Sequence, residues 1–170
     1  FWIDRHDADE LLADRLRTGA LGPELAERIQ QFMRDGYVVI PGAVPLSLTQ
    51  AIREELDEYW ATPPSGALIE TTGVKTRLVT PELDLRDRPH KLLDFHAHSA
   101  LARQAAAAPP VVEFLTAIFE ASPKAFQTLT FWKGSQQPFH KDTAYVRIES
   151  EPMHLAASWI APRWPLEQGM

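Results

Sequence analysis

The 170-residue sequence contains no cysteine. That excludes a disulfide framework and thiolate chemistry, and it fits a reducing compartment without requiring one. No apolar run approaches 18 residues, so nothing reads as a membrane span. No charged segment followed by an apolar one opens the chain, so no signal peptide is read. With these absences the expected location is cytoplasmic. Basic residues are also scarce: 17 Lys and Arg stand against 23 Asp and Glu, a net charge of -6. That balance argues against a nucleic-acid surface.

What is present suits a folded domain. Hydrophobic residues make up 45% of the sequence, and the length fits one domain of ordinary size. Asp4 to Thr18 reads as a helix with Asp7 as N-cap, Leu11, Leu12 and Leu16 on one face, and Gly19 as its stop. Pro23 starts a second helix, closed by Gly36, with Leu25, Ile29, Phe32 and Met33 at helical spacing. Tyr37 to Ile40 is an apolar run cut by Pro41-Gly42, which predicts a buried strand. Ser47 is the expected cap of a third helix that turns Leu48, Ile52, Leu56, Tyr59 and Trp60 inward. Its run Glu54, Glu55, Asp57 and Glu58 reads as a solvated face.

Pro63 to Gly66 is a loop signal, Val74 to Thr80 alternates like a strand, and Asp84 to Pro89 is a polar connector. Leu92 to Ala108 is expected as one helix carrying His96 and His98 near its start. On a helix those two lie about 200° apart, so they cannot share one ion. Pro109-Pro110 opens a last helix with Val111, Val112, Leu115, Ile118 and Phe119 inward. Met153 to Ile160 is expected as a strand, broken by Pro162 and Pro165. Helices first and short strands after predict an α+β fold with a jelly-roll core.

The stretch from Ala125 to Ile148 carries the chemistry. Phe126 to Trp132 alternates β-branched and aromatic residues, as a sheet strand does. Phe126 and Gln127 have opposite parity there, so only one of them can face a site. Gly134 to Pro138 is a loop, and a second strand opens with His140 and Asp142. Two residues apart on a strand share a face, about 7 Å apart along the backbone. One imidazole and one carboxylate so placed make two legs of the 2-His-1-carboxylate set used by non-haem Fe(II) oxygenases.

The run LTFWKGSQQPFHKDTAYV, residues 129–146, closely resembles the phytanoyl-CoA dioxygenase (PhyH-like) family of Fe(II)/2-oxoglutarate oxygenases. The resemblance runs from near the N-terminus to about Ala161. It implies a double-stranded β-helix, of which the strands read here are an incomplete part. It implies Fe(II) and 2-oxoglutarate as cofactors, with O2 and a small organic or acyl molecule as substrates. It implies His140 and Asp142 as metal ligands, Lys75 near the 2-oxoglutarate carboxylate, and Gln127 and Trp159 beside the cofactor. Arg77 is an alternative to Lys75, and plain core packing is an alternative for Trp159. The family's second His and its following Arg come from a later strand. The sole His after Asp142 is His154, which sits too early to match and reads instead as a strand residue facing core or solvent. The resemblance therefore divides the chain into an N-terminal portion of such a domain, residues 1–161, and an aberrant tail, 162–170. The alternatives are a truncated, inactive family member and a metal-free binding module.

Overall fold

A computed structural model describes residues 1–62, 68–71, 74–78, 90–131, 146 and 154–161, and only the backbone of 71 and 74–78. The loop at Pro63 to Gly66, the connector at Asp84 to Pro89, the strand opening with His140 and Asp142, and the tail 162–170 lie outside the described residues. After a 3-10 turn at Trp2–Asp4 come α1 (Ala8–Arg17), α2 (Pro23–Asp35) and α3 (Leu46–Ala61). Then follow β1 (Leu68–Thr71), β2 (Val74–Leu78) and β3 (His90–Leu93). The last elements are α4 (Phe95–His98), α5 (Ala100–Ala106), α6 (Pro109–Phe119) and β4 (Leu129–Phe131). Among the described residues no helix is long and apolar enough to cross a membrane.

The described residues gather into two compact units. The first takes residues 1–43, 107–124, 146 and 154–158. Its core joins Trp2, Ile3, Leu12, Leu21, Ala26, Ile29, Phe114 and Ile118. Pro23 and Gly36 bound α2 as the sequence predicts, for physical reasons. Proline has no N–H to leave unpaired in a first turn, and Gly36 takes φ 77°, where a side chain would be strained. α1 begins at Ala8 with Asp7 in the capping position, yet the Asp7 carboxylate does not cap it. It pairs instead with the Arg5 guanidinium through two hydrogen bonds of 2.8 and 2.7 Å. That bonding holds the Asp7 carboxyl below its ordinary pKa.

Tyr37 to Ile40 is not the buried strand expected. It belongs to no helix or strand; Val38 and Ile40 pack on the first core while Tyr37 and Val39 are 61% and 65% exposed. The period-two pattern is kept, but no ladder partner exists among the described residues. In α6, Phe114 and Ile118 are the buried residues, so Phe114 joins the inward set expected from the sequence.

The second unit takes residues 44–62, 68–71, 74–78, 90–106, 125–131 and 159–161. α3 buries Leu48, Ile52, Leu56, Tyr59 and Trp60, the five residues its spacing predicts. Its cap position is Pro45, and Ser47 lies one residue inside the helix, so Ser47 is not the cap. The strands form one open antiparallel sheet in the order β2-β1-β3-β4. This is the mixed helix-and-sheet class expected; a jelly roll has about eight strands. Ile69 pairs with Leu92, and Leu92 with Thr130. Paired residues share a face, and Ile69 and Leu92 bury theirs in the core with α3. Glu70, Lys91 and Phe131 form the next rung, on the opposite face.

Two sequence expectations give way here. Leu92 to Ala108 is not one helix. His90 to Leu93 is a strand, Asp94 turns the chain with φ 53°, and Ser99 is extended and separates α4 from α5. The strand at Phe126 to Trp132 begins only at Leu129, because Asp94 leaves the ladder. Thr128 bonds it twice: its carbonyl accepts the Asp94 N–H at 2.9 Å, and its N–H donates to Asp94 Oδ1 at 3.3 Å.

Candidate active-site region

The site that the sequence points to follows β4, so the surroundings of that strand come first. β4 pairs with β3, and nine positions separate Phe131 from His140. The entry to β4 is pinned. Besides its two backbone contacts with Asp94, Thr128 holds its hydroxyl 2.9 Å from His96 Nδ1 and 3.3 Å from the His96 N–H, which donates to it. Asp94 Oδ1 lies 4.0 Å from the same ring nitrogen. Arg103 Nη1 donates to the His96 carbonyl at 2.6 Å. Asp94, a non-glycine residue in the left-handed region, is thus held in place by its neighbours.

The predicted site residues fare differently. His140 and Asp142 lie outside the described residues. Lys75 and Arg77 lie on β2, with Arg77 in register with Ile69. β2 and β4 are three strand spacings apart, roughly 14 Å. Gln127 and Phe126 are both exposed and precede the strand, so the alternation expected between them does not apply. Trp159 is 74% exposed, which sets aside plain core packing, and its ring stacks on Phe131 at 6.2 Å and 10°. Phe131 belongs to the rung of Glu70 and Lys91, whose ammonium and carboxylate meet at 3.0 Å. The sheet face away from α3 therefore carries an ion pair beside an aromatic stack.

His154 is not on a strand. Its ring stacks on Phe1 at 4.8 Å and on Phe119 at 5.5 Å, so rings rather than ladder neighbours hold it. His96 and His98 do not converge: His96 meets Thr128, and His98 lies 6.4 Å from the Tyr59 ring. Among the described residues no three His, Asp or Glu side chains gather so as to hold a metal ion.

The sequence model of the phytanoyl-CoA dioxygenase (PhyH) family matches residues 32–162. The chain belongs to that family. The match starts within α2, later than the resemblance read from the sequence, and it includes His140, Asp142, Lys75, Gln127 and Trp159. No curated protein and no solved structure matches the chain.

Two polar features of this PhyH chain escaped the sequence reading. His90 is 5% exposed, and its Nε2 accepts the Trp60 indole N–H at 2.9 Å. The available signal was alternation of His90 and Leu92 with Lys91 and Leu93, hidden by the neighbouring helical run. Ser99 is fully buried; its hydroxyl accepts the Ala102 N–H at 2.9 Å and donates to Glu55 at 2.5 Å. A Ser before Ala-Leu-Ala is an N-cap signal that could have located the break.

Proposed function

We propose that the chain is an Fe(II)/2-oxoglutarate-dependent dioxygenase that hydroxylates a small organic or acyl substrate. Membership of the PhyH family supports this, together with the His140-Lys141-Asp142 triplet inside the matched range. The donor set suits ferrous iron, which takes neutral imidazole nitrogen and hard carboxylate oxygen. His140 and Asp142 would hold the metal. Asp142 also favours hydroxylation, because halogenases of the superfamily resembled carry a small residue in its place. Lys75 would lie near the 2-oxoglutarate carboxylate and bind it by a charge-assisted hydrogen bond. Gln127 and Trp159 would border the cofactor. Iron, 2-oxoglutarate and O2 supply the oxidising chemistry when bound, and the protein supplies binding, orientation and exclusion of water. The sheet would form part of a jelly-roll core in an oxygenase domain covering residues 1–161, located in the cytoplasm.

The placement of His154 favours a second reading, a family member that keeps the fold without turnover. The His154 ring packs against both Phe1 and Phe119, so aromatic neighbours engage it. An anaerobic titration with Fe(II) or Mn(II) tests the oxygenase reading. Under the oxygenase reading the chain binds the metal in a saturable way and His140→Ala weakens binding by about tenfold or more. Equal binding by both proteins would remove His140 from the site.

A further inference from the structure

The sheet face turned away from α3 carries a row of side chains across three strands: Glu70 on β1, Lys91 on β3 and Phe131 on β4. Trp159 extends the row by stacking on Phe131. Among the described side chains of this face, Lys91 is the one cation. Its ammonium lies 3.0 Å from Glu70 Oε1, and both side chains keep contact with water, at 21% and 39% exposure. β3 is the immediate neighbour of β4, whereas Lys75 lies on β2 at the other edge of the sheet. Of the two lysines, Lys91 is therefore the nearer to the strand that precedes His140 and Asp142.

The structure itself shows that a carboxylate fits here, because Glu70 already seats one on the ammonium. That internal pair is also weak enough to exchange. Water competes for both charges of a part-exposed ion pair, so such pairs contribute little. An incoming acid would meet the same ammonium, and it would meet Glu70 as a like charge beside it.

We propose that Lys91 binds a carboxylate of 2-oxoglutarate and that Glu70 is a built-in competitor for the same ammonium. The identity of the ligand rests on the oxygenase reading; its place rests on the register of β1, β3 and β4. Glu70 is a positioning residue, acting on the ligand through Lys91. It keeps the lysine paired when no acid is bound, and it holds the affinity for the acid below what Lys91 alone would give.

The test is a metal-free titration of the full chain with sodium 2-oxoglutarate, followed by amide shifts in β3 and β4 by NMR. Sodium chloride at equal ionic strength is the blank. Saturable shifts at Lys91 and Phe131 are expected. Glu70→Gln keeps the size of the side chain and removes its charge, so binding should tighten about three- to fivefold. A role confined to holding the sheet together would move affinity the other way. Lys91→Met should weaken binding about tenfold or more, through the lost charge-assisted hydrogen bond. Both side chains are part-exposed, so both variants should keep the wild-type spectrum away from this face. Shifts no larger than those with sodium chloride would overturn the proposal. So would unchanged or weaker binding in Glu70→Gln, or wild-type affinity in Lys91→Met. No metal enters these titrations, so a failed Fe(II) or Mn(II) titration leaves their result standing.

Discussion

The two units differ in where most of their described polar contacts lie. The first keeps its ion pairs at the surface, as in Arg5–Asp7, Arg28–Glu24 and Arg34–Asp35. Arg34 holds the Asp35 carboxyl below its ordinary pKa, but both groups stand in solvent. The second unit takes polar groups inside: Trp60 on His90, Ser99 between Glu55 and Ala102, and the Tyr59 hydroxyl, which has no hydrogen-bond partner among the described residues. Exposed pairs are screened by water and constrain long side chains, so they contribute little. An interior donor or acceptor is far costlier to leave unmade, so such contacts specify one arrangement. Every described residue of the second unit falls within the family match, whereas residues 1–31 of the first lie outside it. The first unit makes such a contact as well, from the buried Trp2 indole N–H to the Ala117 carbonyl at 2.9 Å, and Trp2 lies outside the match.

The largest expected effect tests what the units share. Ile29 in the first and Leu92 in the second are 0% and 1% exposed. Ile29→Ala and Leu92→Ala should each cost about 2–5 kcal/mol in urea denaturation, through lost burial plus the cavity left behind. A cost below about 1 kcal/mol for either would mean that its core collapses around the gap, and the comparison would become one of packing.

A middle-sized effect tests where they differ. Ser99→Ala removes a cap from α5 and a donor from the half-buried Glu55, so it should cost about 1–2 kcal/mol. Arg28→Ala breaks a pair with the exposed Glu24 and should cost about 0.5 kcal/mol or less. Equal costs by urea denaturation would erase the distinction between interior and surface contacts.

The helical parts of this fold were legible because helical spacing is local. α2 runs between the Pro23 and Gly36 that predict it, and α3 buries its five expected residues. The misread segments depend on distant partners. Tyr37 to Ile40 has the right alternation but no ladder neighbour among the described residues. The start of β4 is set by Asp94, 34 positions from Thr128, and no local pattern around Phe126 carries that information. For the candidate site, period-two spacing brings His140 and Asp142 to one face on paper, while Lys75, Gln127 and Trp159 come only from resemblance.

The smallest effect at neutral pH belongs to Tyr59, and it bears on the comparison through its pH dependence. Burial raises the Tyr59 phenol above its ordinary pKa. A group raised in the folded state contributes stability that is complete below the unfolded value, near 10, and is lost as pH climbs through the folded one. At pH 7 the phenol is neutral in both states, so Tyr59→Phe changes only hydrogen bonding. Its hydroxyl is unsatisfied among the described residues, so removing it should leave stability within about 1 kcal/mol of wild type, on the favourable side. Above pH 10 the wild type should lose stability faster than Tyr59→Phe, because only the wild type releases the Tyr59 phenolic proton on unfolding. Urea midpoints from pH 7 to 11 decide it. Parallel decline would show that the phenol is not buried in solution. A Tyr59→Phe variant weaker than wild type by more than about 1 kcal/mol at pH 7 would show that the hydroxyl has a partner. Among the described residues, the second unit's interior would then hold no unsatisfied side-chain group.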